Sequence, residues 1–148
     1  MAYMKDIKSD TGIVHLLDPQ DLVHTDTVSA ILDTHGFNGA MILVSVGALT
    51  GADATNYLTP VLQECATTTG TEFTAVDVSD IIGGFSKIDA AAEDSTTQAA
   101  CYIGTKRYIR VNLDYTGIAI SAGVVGVVGL VGRPEESPAV APAAVAAV

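Results

Sequence analysis

The sequence predicts an all-β protein, an antiparallel β-sandwich or jelly-roll-like barrel with one short helical turn and extended terminal arms. Three observations carry this prediction. Apolar residues make up 49% of the 148 positions, yet aromatics are only 5% and Trp is absent, so the core must be built from aliphatic side chains. Val, Ile and Thr favour a pleated, half-buried surface, and the 14 glycines work against long helices. Extended apolar segments alternate with turn residues about every 8–12 positions, the rhythm of a sandwich of roughly seven or eight short strands. A chain of this length is one domain, able to bury roughly 70% of its unfolded surface.

Taken in order, residues 1–11 are polar and charged and read as an N-terminal arm. Residues 12–17 read as a short strand that Asp18-Pro19 breaks, and residues 26–32 as a second strand. Residues 34–39 form a turn region with two glycines. Residues 40–48 (AMILVSVGA) are a nearly continuous apolar run, the pattern of a strand covered on both faces. After a loop, residues 57–65 resume an extended pattern with Leu58, Pro60 and Leu62 on one parity. Pro60 cannot donate to a ladder, which places it at an edge or a bulge.

Residues 67–70 turn the chain into a return strand over 71–76, making a hairpin. Ser79 or Asp80 then caps a helical turn at Ile81-Ile82, stopped by Gly83-Gly84. Residues 86–97 are acidic, small and polar, and read as an exposed loop. The clearest strands are 98–104 and 107–115. In the second, Ile109, Val111, Leu113 and Tyr115 share one parity against Tyr108, Arg110, Asn112 and Asp114. Gly104-Thr105-Lys106 is the expected hairpin turn between them. Residues 117–132 read as a long central strand, with glycines where neighbours approach closely. This run is too short for a membrane-spanning helix, which needs about 20 apolar residues. The expected organisation is an arm over 1–11, a β-sandwich domain over 12–133, and an Ala/Val/Pro-rich arm over 134–148.

Charge and motifs narrow the function classes. The formal charge is −10, from 17 acidic and seven basic residues, too few cations for a large nucleic-acid-binding face. Residues 1–6 lack the apolar stretch of a signal peptide. Cys65 and Cys101 form no CxxC pair, leaving two small buried thiols or a pair in space. His15, His24 and His35 match no metal-binding spacing such as HExxH. The groups Asp77, Ser79, Asp80 and Asp89, Glu93, Asp94 do not follow the calcium-loop pattern; they read as a helix cap and a solvated loop. No GxSxG elbow or P-loop is present. The expectation is therefore a chain that is not an enzyme, with no catalytic residue, cofactor or metal.

Candidate partner contacts lie elsewhere. Lys106, Arg107 and Arg110 form the one dense basic group, suited to an acidic protein surface or equally to a solvated strand end, with nucleic acid a lesser alternative. In the tail, Val140, Val145 and Val148 each offer about 1–2 kcal/mol if buried against a neighbour. Tyr57, Tyr102 and Tyr108 are candidates for a glycan-binding platform.

Three segments together resemble a known class of protein. They are Gly36-Phe37-Asn38-Gly39-Ala40-Met41-Ile42-Leu43-Val44-Ser45-Val46-Gly47, then Pro60-Val61-Leu62-Gln63-Glu64-Cys65, then Tyr102-Ile103-Gly104-Thr105-Lys106-Arg107-Tyr108-Ile109-Arg110-Val111. This series resembles small structural proteins of tailed-bacteriophage heads, of the decoration (cement) type, over roughly residues 28–133. The cysteines, the acidic stretch 86–97 and the tail depart from that pattern. The resemblance implies a virion protein, made in the host cytoplasm, that binds the outside of the head and stabilises it through subunit-bridging contacts. The implied partners are the major capsid protein and copies of itself, with a homo-oligomer, a trimer above all, and neither nucleic acid nor membrane. Alternatives are a head–tail connector, tail terminator or tail-tube subunit, and a displayed host- or glycan-binding module.

Overall fold

The computed structural model describes residues 7–21, 26–90, 93–134 and 144–145. Within them a single helical turn, α1 (Ile7–Asp10), leads into β1 (Thr11–Asp21), β2 (Thr27–Val28), β3 (Leu32–Asp33), β4 (Phe37–Val46) and β5 (Tyr57–Cys65). After these come β6 (Thr74–Ala75), β7 (Ile81–Gly83), β8 (Thr96–Tyr102), β9 (Tyr108–Thr116) and β10 (Val124–Pro134). Short 3-10 turns occupy Gly70–Glu72 and Val78–Asp80. None of the described helices is long and apolar enough to cross a membrane.

The strands form two antiparallel sheets. One runs β1-β10-β4-β8-β7; the other runs β2-β9-β5-β6, with β3 also on β9. Because β2 and β3 both pair with β9, they act as one interrupted strand. The chain passes to the opposite sheet after β1, β3, β4, β6, β8 and β9. This alternation between the two sheets, with β1-β10-β4-β8 facing β2/β3-β9-β5-β6 and β7 added at the edge of the first, is the double Greek key of a jelly roll. The expected fold class is the one observed.

Both sheets turn one parity inward. Ile42, Val44, Val125, Val127, Val131 and Ala100 from the first sheet meet Leu58, Leu62, Ile109, Val111 and Leu113 from the second, all at most 4% exposed. A smaller cluster lies on the outer side of the second sheet: Ile31, Cys65 and Phe73, with Tyr108 and Val145 against them. The residues of the β9 alternation and of β5 fall as their parity predicts. Pro60 is buried on β5 between Leu58, whose amide donates to Ile88 O, and Leu62, whose carbonyl accepts from Val76 N. It therefore sits on the side of β5 away from β9, where no ladder bond is needed.

Several sequence expectations need correction. Asp18-Pro19 does not end β1, which continues to Asp21 through two register shifts against β10. As an edge strand, β1 tolerates the missing amide. The expected strand over 26–32 is split, because Ser29 Oγ accepts from Val111 N while Ala30 N turns away to Leu16 O. Ile81-Ile82 form strand β7 rather than a helical turn; the turn lies just before them, capped by Asp77 through Ser79 N. Residues 104–106 are not a hairpin turn, since β8 and β9 belong to different sheets. The long strand begins at Val124, not at 117, because Asn56 Oδ1 accepts from the amides of Ile118 and Ala119 and holds them in a loop. Cys65 and Cys101 are both free thiols.

Candidate assembly interface

The outward parity of the first sheet differs from an ordinary solvated face. Register places Ile82 (β7), Cys101 (β8), Met41 (β4), Leu130 (β10) and Ile13 (β1) side by side, one apolar row across all five strands. Ile13 and Ile82, at the two ends, are 62% and 61% exposed. The next row is Ala99, Leu43, Val128 and His15, and the one beyond it Thr97, Ser45 and Gly126. On the other side lie Gly39, Gly132 and Thr11. These outward positions hold no Asp, Glu, Lys or Arg, in a chain that carries 17 acidic residues.

The face has relief and a polar margin. Pro19 lies over Gly126, where an added Cβ would approach the proline ring to 3.3 Å. Beside it a groove of about 370 Å³ runs between Leu17, Leu43, Val128 and Thr97. At the margin His15 Nε2 meets Asp18 Oδ1 at 2.8 Å, both side chains exposed. An apolar centre with a polar rim is the anatomy of a protein–protein contact surface.

The outer face of the second sheet is polar by contrast. Register sets Gln63 beside Arg110, Val61 beside Asn112 and Thr59 beside Asp114. Its far end is covered by the small apolar cluster around Phe73.

The sequence-predicted contact residues separate in space. Arg110 is buried at 8% exposure: Nε donates to Gln63 Oε1 at 2.9 Å, Nη2 donates to Gly70 O at 3.0 Å, and the guanidinium lies 4.1 Å over the Phe73 ring. Desolvation lowers its pKa. Arg107 makes a two-pronged contact with Asp33, Nε to Oδ1 at 2.9 Å and Nη2 to Oδ2 at 2.7 Å. That hydrogen bond holds the Asp33 carboxyl below its ordinary range and raises Arg107. Lys106 is exposed, and its backbone amide donates to the Tyr102 hydroxyl. The expected basic group is thus dispersed, with two of its three cations engaged inside the subunit.

The Val145 backbone pairs with Ile31 of its own domain in both directions, at 2.7 and 3.0 Å. Its side chain packs against the Phe73 cluster. Ile31 offers this pairing because its amide and carbonyl are turned away from the interior ladder. Val140 and Val148 lie outside the described residues.

The three tyrosines do not converge. Tyr102 is buried between the sheets, while Tyr57 and Tyr108 sit at opposite ends of the β5–β9 pair, opposite Thr116 and Cys65. The outer apolar row was missed as a site. Its signal was present: an apolar run on both parities over residues 40–48 demands cover on two faces, and the fold supplies only one.

No protein-family model matches this chain, and no curated protein sequence does. Solved structures with a similar course include a chain of infectious bursal disease virus, Gx strain, at 10% identity and TM-score 0.45. That match covers 85% of this chain and 32% of the other, so this chain spans about a third of the viral one. The PRD1 vertex protein P5 is similar at 11% identity and TM-score 0.46, over 84% of this chain and 97% of that one. The CBM36-1 domain of a xylanase from the hindgut metagenome of Trinervitermes trinervoides is similar at 8% identity and TM-score 0.39, covering 83% and 97%. None of these likenesses bears on what the chain does.

Proposed function

We propose that the chain is a virion structural subunit of the decoration (cement) type, stabilising a phage head by bridging its neighbours. The observation that supports this best is the uncharged apolar face of the β1-β10-β4-β8-β7 sheet on a subunit of net charge −10. Large aliphatic side chains left outward across five strands are costly to leave in water, and burial stabilises each by about 1–2 kcal/mol. The rest of the molecule suits a mechanical role. Two sheets locked over one dry core make a rigid body, and rigid bodies bridging neighbours resist separation through many repeated weak contacts. The resemblance of residues 36–47, 60–65 and 102–111 to phage head proteins points the same way. On this reading the chain performs no chemistry and needs no cofactor, and its partners are the major capsid protein and its own copies.

Quantitative mass spectrometry of particles purified from cells carrying the gene tests this reading. Copies in the hundreds per particle are expected. A ring-like stoichiometry of about six or twelve would move the chain to a connector or tail position. Exclusion from particles, with the protein free in the lysate, would contradict a virion role. The glycan-binding alternative loses its platform, because Tyr57, Tyr102 and Tyr108 do not converge.

A further inference from the structure

We propose that the occupant of the apolar face is a second copy of this chain, packed sheet against sheet about a two-fold axis near Met41 and Leu130. The inference rests on the reading of the chain as an assembly subunit and names the partner of that same surface.

Charge argues for a like partner. Two copies, each at −10, repel at long range. Among the described cations, Arg107 and Lys87 are ion-paired within the subunit, to Asp33 and Asp89, Arg110 is buried, and Lys8, Lys106 and Arg133 lie outside the apolar rows. Identical acidic subunits approach most closely where both have removed charge, and the rows from Gly39 to Ser45 are that place. A partner of opposite charge would select acidic positions on this face, and it has none.

Relief argues for the same occupant. Along β10 the outward positions run Gly126, Val128, Leu130, Gly132, a ridge of two large side chains with a glycine hollow at each end. Two such faces related by a two-fold axis near Leu130 bring the ridges together along one apolar strip, at the roughly 10 Å separation of packed sheets. Five strands at about 4.8 Å and some 20 Å of strand length give a projected patch of roughly 500 Å². That lies between lattice contacts and the roughly 800 Å² per partner of a standard stable complex, so dissociation at micromolar concentration is expected.

Native mass spectrometry and light scattering of the purified full chain across a concentration series test the proposal. A dimer with a micromolar dissociation constant is expected. Met41→Asp should weaken it at least tenfold, and Val61→Asp, on the outer face of the other sheet, should leave it unchanged. Thermal unfolding confirms that each variant folds; should Met41→Asp fail, Leu130→Thr puts a β-branched residue, well suited to a strand, in its place and should also weaken the dimer. A chain monomeric to millimolar concentration, or an oligomer sensitive to Val61→Asp but not to Met41→Asp, would overturn the proposal. If the monomeric chain is nonetheless abundant on particles and Met41→Asp removes it, self-association is refuted and the structural role stands. A face-dependent dimer found on no particle supports the inference and refutes that role.

Discussion

Tyr102 and Glu64 join the two sheets through one hydrogen bond. The Tyr102 hydroxyl, on β8, donates to Glu64 Oε2, on β5, at 2.5 Å and accepts from Lys106 N at 2.8 Å. Burial, and then the Glu64 carboxylate, push the phenol well above its usual range, so it stays a donor at every physiological pH. Tyr102→Phe keeps the ring but strips a partner from both groups. A loss of about 1–3 kcal/mol is expected from urea unfolding. Asp33 sets a second expectation. Its carboxyl, lowered by Arg107, contributes stability that is present above the unfolded value near 4 and lost as pH falls through the lower folded value. The melting temperature of the wild type should therefore drop more steeply below about pH 4 than that of Asp33→Asn. The effect is small, because Arg107 is half exposed and solvent screens the pair. Neither contact was legible in the sequence. Lys106, Arg107 and Arg110 read as one basic group, while Asp33 lies 74 residues before Arg107 and Gln63 lies 47 before Arg110.

At the scale of elements, parity was legible and boundaries less so. Leu58, Pro60 and Leu62 on β5, and Ile109, Val111 and Leu113 on β9, all point inward as their alternation requires. Where an element ends depends on distant side chains: Asn56 holds residues 118–119 out of β10, and Ser29 interrupts the β2–β3 strand. A hairpin between β8 and β9 was the natural local reading, since nothing nearby in sequence reveals that the chain changes sheets. Glycines give an element-scale test. At Gly129 on β10, an added Cβ would meet the tips of Leu16 and Leu32 at 3.0 Å. Those tips can shift, so Gly129→Ala should cost about 1–3 kcal/mol in unfolding free energy. Gly51 has φ +90°, and its Cβ would lie 2.1 Å from the Ala119 carbonyl oxygen, a backbone atom. Gly51→Ala should lower the unfolding midpoint further than Gly129→Ala does, because backbone must move and the conformation is strained as well.

The whole molecule has two unlike outer surfaces. One sheet presents Asn112, Asp114 and Gln63, with Arg110 buried against Phe73, and a small apolar cluster that seats its own Val145. The other presents an uncharged apolar field from Ile82 to Ile13. The run at 40–48 announced that both of its faces need cover, but a sequence does not say which molecule supplies the second. The tail valines read in the sequence as adhesive; among the described residues Val145 pairs with Ile31 of its own domain, and the proposed assembly uses the sheet face. Cys101 sits within that face and is partly exposed, while Cys65 is buried elsewhere, so the two thiols make an internal comparison. The most direct measurement is the alkylation rate of Cys101 relative to Cys65 in the purified chain, from nanomolar dilution to concentrations above the association midpoint. The account predicts at least a tenfold slowing at Cys101 on association, abolished by Met41→Asp. A Cys101 rate that stays constant while the chain demonstrably associates would show that this face remains in water, and would contradict the account.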